Sequence, residues 1–175
     1  MTQITPEMSV VDLAAVVCQG LSDYGIEAVL TGGAVVTIYS ENEYQSDDLD
    51  FVSTARRKQI ADAMAALGFT PGKGRYFVHP NTKLFVEFPA PPLAIGNELI
   101  TETARQQREG GVLKLLTPTQ CVMDRLAAFY HWNDPQARQQ ALMVAKQHAI
   151  DWALVERWSK GEGCIDKYLD FRRAA

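Results

Sequence analysis

Apolar residues recur every three or four positions near the start of the chain, a spacing that places them on one face of a helix. The residues with this spacing are Val10, Leu13, Val17 and Leu21. Thr5 is a favoured N-cap residue, and Pro6 suits the first helical position. Gly25 suits a helix end. The pattern therefore predicts a helix that runs from Thr5 to about Tyr24 and buries one face.

Short apolar and aromatic segments bounded by turn residues follow, and segments of this kind predict strands. They lie at residues 26–30, 49–52, 75–79, 84–88 and 112–116. The sequence Pro80-Asn81-Thr82-Lys83 separates two of them, which predicts a hairpin. Between the strands, the pattern predicts a short helix over residues 34–39 and another that is capped by Thr54 and ends at Gly68.

The remainder of the chain has a helical pattern. Thr117 suits an N-cap, Pro118 suits the first helical position, and Gln120 completes a capping box, so a helix is predicted to begin here. Three further helices are predicted to begin at Asp134, Asp151 and Cys164.

Together these elements predict an α+β fold, in which a small mixed β-sheet is flanked by helices and followed by a C-terminal helical lobe. The predicted division places the core with its N-terminal helix in residues 1–116 and the lobe in residues 117–175.

Composition narrows the function classes. No apolar run in the 175 residues approaches the length of a membrane helix, and the N-terminus lacks the basic and apolar regions of a signal peptide. The three cysteines have no CxxC spacing. We therefore expect a reduced, cytoplasmic protein that does not associate with a membrane.

The charge is sorted along the chain. Nine acids and no Lys or Arg precede Arg56, so residues 1–55 carry a formal charge of −9. The remaining residues contain 12 acids and 17 bases, which gives +5. An acidic segment suits a divalent cation, and a basic one suits a phosphate-bearing ligand. The alternative is that the two halves of one fold simply attract each other.

Two carboxylates one residue apart are the main candidates for chemistry. Asp48 and Asp50 flank Leu49 in a predicted strand and precede Phe51 and Val52. Residues i and i+2 of a strand project from the same face, so both carboxylates point the same way. Two such acids in apolar surroundings repel each other and resist desolvation unless a cation lies between them. The spacing therefore predicts a metal site.

Glu87 is the candidate for a third carboxylate. It lies within the apolar run Leu84–Phe88, where an acid is difficult to explain as a core residue. If its strand neighbours that of Asp48 and Asp50, the three acids complete a two-metal site. The alternative is a solvent-facing residue on a half-exposed strand. Asp47 points the other way and is excluded, and Ser46 either hydrogen-bonds the turn or helps to hold Asp48.

Gly32 and Gly33 lie between a predicted strand and a predicted helix. Glycines at this position let the backbone approach a ligand closely, and a helix N-terminus is a favourable place for phosphate. A glycine pair is common in tight turns, so its weight comes from its combination with the two aspartates.

These residues together resemble the polymerase-beta-like nucleotidyltransferase superfamily. The similar features are Gly32-Gly33, Ser46-x-Asp48-x-Asp50, and a glutamate on a later strand, within residues 26–116. The chain looks most like the small bacterial toxin or abortive-infection (AbiEii-like) type. Its helical lobe is also similar, although Arg125 replaces the family's lysine and Ala137 stands where the family has a second acid.

The resemblance implies transfer of a nucleoside monophosphate from a nucleoside triphosphate to a hydroxyl acceptor with Mg²⁺. Asp48 and Asp50 would be metal ligands, and Glu87 a third ligand or the general base. Gly32 and Gly33 would hold the triphosphate. The other nucleotide-binding candidates are Ser46, Lys73, Arg75, Lys114 and Arg125.

The acceptor suggested by the resemblance is a tRNA or a protein, and the toxin type implies an antitoxin partner. Two alternatives stay open. One is an inactive nucleotidyltransferase-like module that binds a nucleotide or a partner. The other is an adenylyltransferase that modifies a small molecule, of the antibiotic-modifying kind.

Overall fold

The computed structural model of the protein describes residues 2–175. The helices are α1 (Val10–Asp23), α2 (Gly32–Tyr39), α3 (Arg57–Ala66), α4 (Pro118–Trp132), α5 (Pro135–Gln147), α6 (Trp152–Gly161) and α7 (Ile165–Ala174). The strands are β1 (Val29–Thr31), β2 (Asp48–Val52), β3 (Thr70–Pro71), β4 (Tyr76–Val78), β5 (Phe85–Glu87), β6 (Ala94–Ile95), β7 (Glu98–Leu99), β8 (Ala104–Arg108) and β9 (Gly111–Leu115). The predicted α+β class is confirmed.

Seven of these strands form one mixed sheet in the order β3-β4-β5-β2-β1-β9-β8. The β2–β5 and β1–β9 pairs are parallel, and the other neighbours in this sheet are antiparallel. β6 and β7 form a separate two-stranded ribbon. Strand β2 is central, so residues on it can meet residues from both halves of the sheet.

The two faces of β2 have different roles. Leu49 and Phe51 are fully buried, whereas Asp48, Asp50 and Val52 are partly exposed. The buried pair belongs to a hydrophobic core that also contains residues of α1 and α3. Alternation along one strand therefore directs apolar side chains into the core and carboxylates to the opposite face.

The C-terminal helices share this core and are tied to α2 by hydrogen bonds. The Tyr39 hydroxyl donates to the Leu116 carbonyl at 2.7 Å, and Nε2 of His148 lies 2.7 Å from the Tyr39 carbonyl. Within the lobe, the hydroxyls of Tyr130 and Ser159 are 2.9 Å apart. The His148 bond therefore joins the end of α5 to α2, and the Leu116 bond fixes the segment directly before α4.

Several predicted element boundaries are confirmed. Thr117 and Gln120 form the capping box of α4, with backbone-to-side-chain bonds of 2.9 and 3.2 Å. Asp134 and Asp151 cap α5 and α6 through their side chains. The predicted hairpin is the antiparallel pair β4–β5. Each signal is local, because a cap or turn residue bonds to the backbone within a few positions.

Two predicted N-caps are wrong. Helix α1 begins at Val10 rather than after Thr5, because Thr5 accepts a turn hydrogen bond from Met8 and Ser9 caps the helix instead. Helix α3 is capped by Arg56 rather than Thr54. The Ser53 hydroxyl donates to the Glu27 carbonyl at 2.6 Å and accepts a hydrogen bond from the Ala55 N–H. These bonds hold residues 53–55 outside the helix, so α3 begins at Arg57.

Strands β3, β6, β7 and β8 were not predicted by the pattern. Three of them are only two residues long. The fourth, β8, has the polar sequence Ala-Arg-Gln-Gln-Arg and lies at the edge of the sheet, where it pairs with β9. Edge strands can be polar because part of their surface faces water. In residues 2–175, no helix is long and apolar enough to cross a membrane.

The Tyr39 hydroxyl bond gives a stability prediction. Tyr39→Phe leaves the buried Leu116 carbonyl without this donor, so we expect the free energy of unfolding to fall by about 1–2 kcal/mol. Urea unfolding measures the change. The matched control is Tyr24→Phe, because Tyr24 is 53% exposed and its loss of a hydroxyl should have little effect. Equal stability of the two variants would contradict a role for this bond in holding the segment before α4 against α2.

Candidate metal and nucleotide site

Three carboxylates meet on one face of the sheet. Asp48 and Asp50 project from β2, and the parallel strand β5 places Glu87 opposite Asp50. Each side chain offers an oxygen, and these oxygens all lie within 4.8 Å of one another. The predicted adjacency of the two strands is confirmed, and Glu87 contributes to a cluster instead of facing solvent alone. Asp47 is exposed and lies outside the cluster.

The cluster is electrostatically strained when its acids are ionised. Burial, which is the largest cause, and the neighbouring charges of Asp48 and Glu87 together raise the pKa of Asp50 to about 7. The positive charge of Arg125 acts in the opposite direction. A cation among the three carboxylates would remove the repulsion and favour the ionised forms.

The donor set of the cluster fits a hard divalent cation. Asp48, Asp50 and Glu87 supply carboxylate oxygens, which are the ligands that Mg²⁺ prefers in proteins. Mg²⁺ also keeps several waters and binds substrate phosphates alongside one or two carboxylates. The three side chains could therefore hold Mg²⁺ together with a phosphate ligand.

Ser46 supports Asp48 from within the protein. Its buried hydroxyl lies 3.1 Å from Oδ1 of Asp48 and 3.0 Å from the Asp48 carbonyl. The Ser46 backbone N–H donates to Oγ1 of Thr37 at 3.0 Å, and Thr37 donates to the Gly33 carbonyl at 3.2 Å. This chain of bonds links the loop before β2 to the start of α2. Thr37 did not stand out in the sequence, because a threonine inside a helix carries no signal.

Gly32 and Gly33 lie against the carboxylates. Gly32 has φ +70, and a Cβ added there would lie 2.7 Å from Oδ2 of Asp50. A Cβ on Gly33 would lie 3.2 Å from the Ser46 hydroxyl oxygen. The positive φ of Gly32 is the conformation that favours glycine, and a side chain there would also displace the Asp50 carboxylate. The first turn of α2 consequently begins beside the acidic cluster.

Arg125 lies close enough to the cluster to affect Asp50. Its guanidinium donates to Oδ2 of Asp124 at 2.6 Å and to the Gln140 side chain at 3.4 Å. Its side chain is mostly buried, and its charge counteracts the rise in the pKa of Asp50. The sequence indicated Arg125 through the resemblance and through its position beside Asp124 at the edge of an apolar helix face, whereas nothing in the sequence pointed to Gln140.

The other predicted basic residues have different surroundings. Arg75 pairs with Glu87 at 3.2 Å and so lies at the cluster. Lys73 is exposed on the segment between β3 and β4. Lys114 forms an ion pair with Glu27, and its strand β9 is separated from β2 by β1. Lys114 therefore has an acidic partner away from the three carboxylates.

Comparison with known proteins identifies the fold. No protein-family model and no curated protein sequence matches the chain. An antigenic nucleotidyltransferase-like protein from Paracoccidioides brasiliensis is similar in structure, with 15% identity and a TM-score of 0.56 over 79% of this chain and 74% of that one. ANT(2")-Ia in complex with adenylyl-2"-tobramycin is also similar, with 12% identity and a TM-score of 0.51 over 95% and 98% of the two chains. The chain therefore has a nucleotidyltransferase-like fold.

The raised pKa of Asp50 gives a pH-dependent prediction for the metal-free protein. An ordinary carboxyl ionises near pH 4, so the folded state binds more protons than the unfolded state up to about pH 7. Ionisation of Asp50 therefore costs stability as the pH rises through this window. Asp50→Asn removes the cost, and we expect it to be more stable than the wild type by about 2 kcal/mol at pH 8. This value is about half of the free energy that corresponds to the whole pKa shift, because Asp50 is partly exposed and solvent screens its charge.

Urea unfolding in EDTA at pH 4.0 and pH 8.0 measures this difference. We expect the advantage of Asp50→Asn to be small at pH 4.0 and to reach its full size above pH 7. Asp47→Asn is the matched control, because Asp47 is exposed and outside the cluster. An advantage of Asp50→Asn that is the same at both pH values would contradict the assignment of the cost to ionisation of Asp50.

Proposed function

We propose that the protein is a Mg²⁺-dependent nucleotidyltransferase that moves a nucleoside monophosphate from a nucleoside triphosphate to a hydroxyl acceptor. The observation that carries the proposal is the approach of Asp48, Asp50 and Glu87 to within 4.8 Å beside the start of α2. The nucleotidyltransferase-like fold supports it.

Asp48 and Asp50 hold the metal in this proposal, and Glu87 is a third ligand or the general base. Bound Mg²⁺ supplies charge neutralisation for the phosphates and activation of the attacking hydroxyl, with a two-ion site as the expected form. Gly32 and Gly33 let the triphosphate approach the first turn of α2, where backbone N–H groups and the helix dipole favour negative charge.

The proposed reaction is an in-line displacement at the α-phosphorus. The acceptor oxygen forms a bond to phosphorus, and the bond to the bridging oxygen breaks with its electron pair, so pyrophosphate leaves. The hydroxyl proton passes to the Glu87 carboxylate or to water. Arg125 offsets negative charge near Asp50, and its bonds to Asp124 and Gln140 hold the guanidinium in place.

The remaining basic candidates have more distant roles in the proposal. Arg75 is close enough to Glu87 to orient it or to contact phosphate. Lys73 would reach the nucleotide from its exposed loop, and Lys114 would have to exchange Glu27 for phosphate. Ser46 has an indirect role: its hydroxyl hydrogen-bonds the carboxylate of Asp48 and so orients this metal ligand.

Two acceptor classes follow from different observations. A tRNA or protein acceptor, with a toxin role and an antitoxin partner, rests on the resemblance of the sequence motifs. A small-molecule acceptor is favoured by the similar structure of ANT(2")-Ia, which was determined with adenylyl-2"-tobramycin and aligns over 98% of its length. An inactive module that only binds nucleotide is the alternative to both.

Nucleotide binding is tested first by thermal shift with each of the four NTPs, with and without Mg²⁺. We expect at least one NTP to raise the melting temperature in a Mg²⁺-dependent manner, because the carboxylates need the cation before they accept phosphate nearby. At 100 times the dissociation constant the stabilisation is about 2.7 kcal/mol. No Mg²⁺-dependent shift with any NTP would contradict both the enzyme and the nucleotide-binding module.

Turnover is tested with labelled NTPs incubated with cell extract or with tobramycin. We expect label transfer by the wild type and none above background by Asp48→Asn, because the variant loses a metal ligand. Ser46→Ala should reduce the rate by about 10–100-fold, since groups that orient metal ligands typically have effects of this size. Asp47→Asn is the control and should retain the wild-type rate. NTP binding without any label transfer would favour the inactive module, and equal transfer by Asp48→Asn would overturn the catalytic assignment.

A further inference from the structure

Two aromatic side chains lie on the same face of the sheet as the three carboxylates. Tyr76 on β4 pairs with Glu87, and Phe85 on β5 pairs with Asp48. Residues that are directly opposite on neighbouring strands project from the same face. The strand register therefore places these rings beside the candidate metal ligands, on the outer half of the sheet. We call Tyr76 and Phe85 the aromatic pair.

The aromatic pair is open to solvent. Tyr76 is 40% exposed and Phe85 38% exposed, and their ring centroids are 5.3 Å apart with the planes at 48°. Their neighbours on the opposite face, Phe77 and Val86, pack in the hydrophobic core. Core packing explains those neighbours but does not explain two adjoining exposed rings. The two rings therefore offer an apolar surface to a ligand that is bound beside the carboxylates.

The pair lies on the side of the carboxylates opposite to α2. Strand β1 leads into α2 at Gly32, and β1 and β5 flank β2 on its two sides. In a phosphoryl transfer, the attacking and leaving oxygens are roughly in line on opposite sides of phosphorus. A triphosphate at the first turn of α2 therefore directs the acceptor to the side of β5 and β4, where the aromatic pair lies.

The geometry points to an acceptor subsite formed by Tyr76 and Phe85, which binds the ring face of the hydroxyl-bearing substrate and directs its hydroxyl toward Glu87. The inference rests on the proposed function and specifies its substrate class. A ring face is offered by a planar base and by a sugar, and both stack on aromatic side chains. In the strand register, Tyr76 lies directly opposite Glu87, and Phe85 lies directly opposite Asp48.

Basic and acidic residues both surround the subsite. Residues 73–87 contain three basic residues, Lys73, Arg75 and Lys83, and one acid, Glu87. All three basic residues are exposed, and Arg75 is paired with Glu87. The carboxylates of Asp48 and Asp50 lie on the same face, so three acids in all stand against the three bases. Charge therefore does not select among ring-bearing substrates, and the ring face defines the expected occupant.

Saturation-transfer NMR tests the subsite with defined probes. The probes are uridine for a planar base, methyl α-D-glucopyranoside for a sugar ring, tobramycin for a polycation and glycerol for a hydroxyl without a ring. Each is titrated into the protein alone and into the protein with Mg²⁺ and α,β-methylene-ATP. The variants are Tyr76→Leu and Phe85→Leu, which keep apolar side chains but remove the rings. Tyr24→Leu is the control, because Tyr24 is exposed at the C-cap of α1.

We expect uridine or the glucoside to bind the wild type and Tyr24→Leu through its ring protons, and to bind Tyr76→Leu and Phe85→Leu about fivefold more weakly. The probe that binds identifies the source of the ring. Thermal unfolding confirms that the variants are folded.

Three outcomes would overturn the subsite: equal binding by the ring-deleted variants, binding of glycerol as tight as that of the ring probes, or no binding of both uridine and the glucoside. Failure of the proposed function has a different signature. In that case no NTP stabilises the protein with Mg²⁺, while the titrations without nucleotide still report on Tyr76 and Phe85.

Discussion

Repulsion among three carboxylates is the constraint on which the rest of the site depends. Asp48, Asp50 and Glu87 bring oxygens within 4.8 Å of one another in partly buried surroundings, and burial with the neighbouring charges raises the pKa of Asp50 to about 7. Such a cluster persists only where the backbone holds it. The parallel pairing of β2 with β5 supplies that support, while Ser46 fixes Asp48 and Arg125 offsets part of the negative charge.

Strand β2 connects the stability of the fold to the candidate chemistry. Its Leu49 and Phe51 are fully buried in the core, and its two aspartates point away from it. The core therefore anchors the same backbone that positions the carboxylates. Gly32 adds a second connection, since its positive φ favours glycine and the Asp50 carboxylate lies directly beside it. The start of α2 is thus held at the cluster by the same packing.

Local signals predicted much of the fold. The capping box at Thr117 and the hairpin β4–β5 are confirmed, because each is formed by residues a few positions apart. The same kind of signal was wrong at Thr5 and Thr54. A turn bond from Met8 to Thr5 occupies one of these segments, and Ser53 bonds to the distant Glu27 carbonyl in the other. Competing contacts of this kind are not visible in a capping pattern.

The sequence by itself determined that Asp48 and Asp50 share a face and that Asp47 does not, because side chains alternate along a strand. It left open whether Glu87 joins them and which basic residues lie nearby. Only the tertiary structure decided that β5 lies beside β2, that Arg125 acts on Asp50, and that Lys114 pairs with Glu27. These relations join residues far apart in the chain, and they depend on the order and register of the strands. A local pattern of apolar and polar positions specifies the face of each strand but not its neighbour.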